Sequence, residues 1–207
     1  MKIPFPRISS LVLLHLLVFT FSVVTVSAYT NSGYKWSGTS ASYYINNAFA
    51  ASFITGMKAG DAIWDAAGSR FRFNYVATTT RNPNVSSSTY ARDTYNDIGY
   101  YNNGSGSVAT TRCGASGTTL TECDTTLNTY YGFTTVGAAG SYDLQSVVTH
   151  ELGHWLRLEH VSSPLSPSYC YTTSLATMCE YSYSVGDTYF RSLTTDDKNG
   201  IKAIYGT

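Results

Sequence analysis

His150-Glu151-Leu152-Gly153-His154 places two imidazoles four positions apart, with a carboxylate directly after the first and a third histidine, His160, six positions beyond the second. On a helix, His150 and His154 lie one turn apart on one face and can take two corners of a tetrahedral Zn²⁺ site. Glu151 then reaches a water held at that ion without occupying a ligand position, which is the placement hydrolysis needs. No straight helix brings His160 to the same point. If the residues before Leu158 are helical, the chain must turn sharply after the helix so that His160 supplies a third nitrogen from below. A rival explanation of the first five residues is an ordinary amphipathic helix that happens to carry two histidines. Against it, the chain has four histidines, and the fourth, His15, sits in an apolar N-terminal run.

Elements must position these groups. Tyr142-Asp143-Leu144 opens the motif helix with Asp143 as N-cap, and Leu144, Val147, Val148, Leu152 and Trp155 give it a core side. Upstream, Tyr43 to Ile45 reads as a first strand. Ala50 to Ala67 changes to a helical period, with Phe53, Met57, Ile63, Trp64 and Ala67 on one stripe and Lys58, Asp61 and Asp65 facing water. Gly56 and Gly60 weaken that helix. Phe71, Phe73 and Tyr75 alternate as a second strand. Residues 77–95 are polar and read as a long surface loop. Further strands are expected at Asp97 to Tyr101, Val108 to Arg112 and Leu120 to Leu127. Thr194-Thr195-Asp196-Asp197 caps a final helix that Gly206 closes. A strand–helix–strand opening, more strands and then the motif helix make an α+β pattern.

Met1 to Ala28 reads as a secretory signal: Lys2 and Arg7 give a basic start, Leu11 to Val26 an apolar core, and Val26-Ser27-Ala28 a small-residue cleavage site. The rival is an uncleaved anchor, but the run is short for a span of about 20 residues. Cleavage leaves residues 29–207, one domain's worth of chain. The 13 basic residues then fall to 11 against 13 acidic ones, and nothing points to nucleic acid. A secreted, extracellular, monomeric protein without membrane association is expected. The four cysteines, Cys113, Cys123, Cys170 and Cys179, then imply disulfides. Three pairings are open. The near-neighbour one, Cys113 with Cys123 and Cys170 with Cys179, closes two short loops and is preferred. Sequons at Asn84 and Asn103 are candidate glycan sites.

With those residues in view, the chain resembles a metzincin, and among metzincins the matrixin (matrix metalloproteinase) catalytic domain. The likeness runs through Lys35-Trp36, the Phe53 to Tyr75 helix and strand, the Tyr142 to His154 stretch, and the ending Leu193 to Gly206. It implies a twisted, mostly parallel sheet with two long helices and a small C-terminal subdomain carrying a Met-turn and a terminal helix. The upper part would be residues 29–158 and the lower part 159–207. It implies His150, His154 and His160 as ligands of one catalytic Zn²⁺, Glu151 as general base and Met178 as the Met-turn residue under the metal. It also implies that a protein or peptide substrate lies extended along Val108, Ala109 and Thr110. Tyr181 and Tyr183, within the Glu180 to Val185 stretch, would wall a side-chain pocket.

The chain departs from the matrixin pattern in several places. Arg157 stands where the family usually has glycine, at the turn that swings His160 inward. A left-handed conformation there costs a non-glycine residue about 1–2 kcal/mol. Met178 follows His160 by 18 positions, a longer spacing than usual, and Cys179-Glu180-Tyr181 replaces the usual proline turn. No histidines are left for a second, structural zinc, whereas Ca²⁺ sites need only backbone and Asp oxygens. Arg112-Cys113-Gly114 echoes the inhibitory cysteine motif of matrixin propeptides, but a disulfide is the better use of Cys113. Cleavage after Ala28 would create a Tyr29 ammonium able to pair with Asp196 or Asp197, as matrixin N-termini do. The expected function is a secreted zinc endopeptidase. Its rivals are an inactive zinc-binding relative acting as a binding module, and a secreted adhesive domain suggested by the 18 tyrosines.

Overall fold

The computed structural model describes residues 29–161, 176–179 and 184–207. Its strands are β1 (Thr30–Asn31), β2 (Lys35–Trp36), β3 (Ser40–Asn46), β4 (Arg72–Thr79), β5 (Asp97–Tyr101), β6 (Ala109–Ser116), β7 (Thr119–Asn128), β8 (Phe133–Thr134), β9 (Tyr142–Asp143) and β10 (Leu158–Glu159). Helices α1 (Ala51–Asp65), α2 (Leu144–Trp155) and α3 (Thr195–Tyr205) accompany them, with a 3₁₀ turn at Tyr189–Arg191. The main sheet runs β2-β7-β5-β3-β4, with every neighbour pair parallel. Only β6 is antiparallel, paired to β7 from Ala109↔Leu127 to Ser116↔Thr119. β6 therefore occupies the edge of β7 opposite β5 and forms a rim of the sheet. The chain has the α+β, mostly parallel architecture of a metzincin.

Two tryptophans fix the helices, one to each other and one to that sheet. The fully buried Trp64 of α1 donates its indole N–H to the Thr149 carbonyl of α2 (2.7 Å), and Trp36 donates to the Trp155 carbonyl (2.8 Å). Burying an indole is favourable only when its N–H finds an acceptor, so each bond also orients a large apolar surface. Gly60 of α1 serves the same packing. A Cβ at Gly60 would meet Thr149 Oγ1 at 3.1 Å and its backbone N at 3.2 Å, so α1 and α2 cross closer than alanine permits. What glycine costs in helix propensity is offset by that approach.

Several expectations need correction. Asp61 does not face water: it is buried and accepts the Tyr43 hydroxyl at 2.5 Å, tying α1 to β3. Burial pushes its carboxyl up to about 6, with the Tyr43 hydrogen bond opposing. The strand expected at Val108 to Arg112 is β6, which runs Ala109–Ser116, longer and later, because it follows the whole of β7. The polar stretch after β4 carries buried anchors that its composition hides. Val85 is buried, and Arg81 grips Asp97 through Nε (2.5 Å) and Nη2 (2.8 Å).

The Cys113–Cys123 disulfide joins β6 to β7. Cys179 is also disulfide-bonded, while Cys170 lies outside the described residues. The Met1 to Ala28 signal likewise lies outside them. Among the described residues, no helix is long and apolar enough to cross a membrane.

Candidate active site

Helix α2 begins where the sequence places it. Asp143 accepts the Ser146 N–H at 2.9 Å as N-cap and is held from its other side by Arg191, through Nε (2.9 Å) and Nη2 (2.5 Å). Burial alone would raise this carboxyl. The Arg191 guanidinium and the Ser146 donors outweigh it and hold Asp143 below the usual carboxylate range. The helix stops at Trp155, and Arg157 takes φ +64°, the left-handed turn that brings the chain back. Its side chain is tied down in compensation: Nε donates to Ser32 Oγ (2.8 Å), Nη2 lies 3.1 Å from Glu159, and the guanidinium stacks over Tyr34 at 5.1 Å. β10 then pairs with β1, fixing the segment that carries His160.

The result is convergence. His160 Nε2 lies 3.1 Å from His150 Nε2 and 3.1 Å from His154 Nε2. His150 Nδ1 lies 2.6 Å from the Thr177 carbonyl and His154 Nδ1 2.9 Å from the Leu158 carbonyl. A carbonyl only accepts, so each of these Nδ1 atoms carries the proton and each Nε2 presents a lone pair. With His160 Nε2 also unprotonated, three lone pairs face one another at a distance where they repel unless a cation lies between them. For a tetrahedral ion with Zn–N of about 2.0–2.1 Å, neighbouring nitrogens stand about 3.3–3.4 Å apart, close to what is found. Burial, then the neighbouring histidines, drives the His150 pKa well down. The same causes in the same order, with Arg157 adding to them, bring His154 to about 4, so both rings are neutral as ligands must be. The donor set fits one Zn²⁺, and among the described residues it is the group of three able to hold a metal.

Glu151 is nine-tenths buried or more beside this cluster, and burial pushes its carboxyl up to about 7 while a hydrogen bond from Thr111 draws it down. Its Oε2 accepts the Thr111 hydroxyl at 2.6 Å. These groups floor a cleft of about 690 Å³, with β6 along one side. Val108, Ala109 and Thr110 line it, as do Tyr131 and Tyr142, which sequence reasoning missed. Tyr142 stood one position before the Asp143 cap and could have been assigned by that neighbourhood. Tyr181 and Tyr183 lie outside the described residues. Met178 is buried beneath α2 against Gly153, and its carbonyl accepts the Val161 N–H at 2.9 Å, next to His160.

Fold and site together define a zinc metalloendopeptidase of the metzincin type. The family model for matrixin matches residues 35–206, and the chain belongs to the matrixin family. Among solved structures it is similar to high choriolytic enzyme 1, a hatching enzyme zinc-protease from the medaka fish Oryzias latipes. The identity is 12%, the TM-score 0.44, and the match covers 85% of this chain and 96% of that one. No curated protein matches.

Proposed function

We propose that the protein is a secreted endopeptidase in which His150, His154 and His160 hold one Zn²⁺ and Glu151 is the general base. The observation that carries this is the convergence of three Nε2 atoms beside a buried carboxylate on the floor of a cleft. Zinc bound there supplies Lewis acidity toward the scissile carbonyl and lowers the pKa of a water to about 7. Glu151 accepts the proton of the attacking water and returns it to the leaving amine, so the carboxylate is regenerated each turnover. Because Oε2 is occupied by Thr111, Oε1 is the oxygen left for that proton. Met178 supplies a buried apolar floor.

The substrate is a protein or peptide chain lying extended against β6. That strand's outer edge is unpaired among the described residues, so its backbone groups can add one more strand, giving affinity with little side-chain demand. Val108, Ala109 and Thr110 form that contact. Tyr131 and Tyr142 supply aromatic surface in the same cleft. Met1 to Ala28 directs export and is removed, leaving one catalytic unit over 29–207.

The test is to express the full chain, collect the secreted form, measure its zinc and calcium, and assay a generic protein substrate with and without chelator, alongside Glu151→Ala. Stoichiometric zinc with chelator-sensitive cleavage that Glu151→Ala abolishes is the expected result. Zinc without cleavage would favour a binding module, and absence of zinc would overturn the site.

A further inference from the structure

The buried carboxylate of Glu151 is the last member of a hydrogen-bonded chain that begins at an indole. Trp155 Nε1 donates to Thr125 Oγ1 at 2.8 Å, Thr125 Oγ1 lies 2.7 Å from Thr111 Oγ1, and Thr111 Oγ1 lies 2.6 Å from Glu151 Oε2. Its geometry follows from two periodicities. Glu151 and Trp155 stand four apart on α2 and so project from one face. Thr111 and Thr125 are register partners across β6 and β7, so their side chains share one face of the strand pair. Two residues on a helix thus meet two on a sheet.

The direction of the chain is fixed by its far end. An indole N–H is a donor only, so Thr125 Oγ1 must accept from Trp155. Each hydroxyl has one proton. If Thr125 gives its proton to Thr111, Thr111 gives its own to Glu151, and every member is satisfied with the carboxylate ionised. In the reverse arrangement Thr111 spends its proton on Thr125. Thr125 is then left with a proton and no acceptor, and Thr111 turns a lone pair toward the carboxylate. Thr125 and Trp155 are each at most 1% exposed, so no water accepts the proton that this arrangement strands on Thr125.

Resting on the assignment of Glu151 as general base, we infer that Thr111 and Thr125 are positioning residues for that base. The chain from Trp155 holds Oε2 in place and thereby aims Oε1 into the cleft. A carboxylate without this anchor can rotate about its terminal torsion, which is broad for glutamate. Misplacement of a reacting group by about 1 Å costs on the order of a hundredfold in rate. Neither threonine needs to touch the substrate for this effect. It therefore falls on kcat, since ground-state binding along β6 uses backbone groups.

The experiment compares Thr111→Val, which keeps the branched shape, with Thr111→Ser, which keeps the hydroxyl, both in the zinc-loaded secreted protein. The Val variant is expected to lose about tenfold to a hundredfold in kcat, with KM, zinc content and unfolding temperature close to wild type. The Ser variant should recover to within a few-fold. A readout independent of turnover is the indole N–H resonance of Trp155, identified among three tryptophans by Trp155→Phe. It should shift in Thr111→Val, because Thr125 loses the acceptor that polarises it, and return toward wild type in Thr111→Ser. Unchanged kcat in the Val variant, a loss tracking zinc or stability, or failure of Ser to rescue would overturn the inference. If the wild-type protein cleaves nothing, it is the assignment of the base that fails. The resonance then still reads the chain, and an unmoved signal would show that the chain does not exist.

Discussion

Gly153 and Met178 meet so closely that a Cβ on the glycine would overlap Met178 Sδ, with Trp64 Cζ2 only 3.0 Å away. Gly153 lies between His150 and His154 on α2, so the methionine is pressed against the part of the helix that carries two of the three imidazoles. In Gly153→Ala the gain in helix propensity, about 1 kcal/mol, is opposed by overpacking of about 1–3 kcal/mol. Met178 is a flexible side chain, but at 1% exposure it has nowhere to go. The variant should be destabilised and should hold zinc more weakly. Urea unfolding of Gly153→Ala, Met178→Ala and the double variant measures the contact. The double variant should lose less than the sum of the singles by about 1 kcal/mol or more, and strict additivity would rule the contact out.

Arg157 separates backbone strain from side-chain contacts. Its φ of +64° costs about 1–2 kcal/mol, and its bonds to Ser32 and Glu159 together offset a comparable amount. Arg157→Gly removes both and should stay within about 1 kcal/mol of wild type. Arg157→Ala keeps the strain, loses the contacts, and should be less stable by about 1–2 kcal/mol. Thermal unfolding of the three proteins at equal zinc gives the ranking. An alanine variant as stable as the glycine one would mean that the turn carries no strain.

What could be read from residue types was whatever local chemistry dictates. The Asp143 cap, the Thr194–Asp197 capping box and the spacing of His150, Glu151 and His154 are each set within one or two helical turns, and so are legible. Asp61 reads as solvent-facing because an acid among apolar residues looks exposed until Tyr43 arrives from β3 to pair with it. The Thr177 carbonyl that orients His150 has no side-chain signature at all. Thr111 looked like ordinary strand composition, and only the pairing of β6 with β7 and the crossing of α2 give its hydroxyl a role.

A pH effect on stability follows from Asp124. Burial pushes its carboxyl from 3.8 up to about 7. The Tyr90 hydroxyl at 2.6 Å and the Asp97 N–H at 2.7 Å oppose the shift, and the neighbouring Glu122 and Asp97 carboxylates add to it. Between those values the folded state holds a proton that the unfolded chain has released. Stability is therefore fully present below the unfolded value and is lost as pH rises through about 7. At saturating zinc, unfolding free energy should fall from about pH 5 to pH 7 and level off above it, and Asp124→Asn should flatten part of that slope. An identical slope in the variant would show that the proton is bound elsewhere.

The N-terminus offers a last test, because Tyr29 packs against α3. A Cβ at Gly200 would lie 3.1 Å from Tyr29 Cβ, so the glycine admits the tyrosine at close range. One turn earlier, Asp197 Oδ2 accepts from Thr177 N–H (3.0 Å), Thr194 N–H (2.8 Å) and the Thr194 hydroxyl, while Oδ1 is buried without a hydrogen-bond partner among the described residues. A buried carboxylate oxygen left in that state is costly, and an ammonium satisfies it. Removal of residues 1–28 places one on Tyr29. Secreted protein beginning at Tyr29 should therefore unfold at a higher temperature than a form carrying two extra residues ahead of it. The difference corresponds to about 1–3 kcal/mol, the range for a hydrogen bond to a charged group. Asp197→Asn should lower both forms by loss of its capping bonds and erase the gap between them. Equal unfolding temperatures for the two wild-type forms would remove the N-terminal ammonium from the folded structure's account.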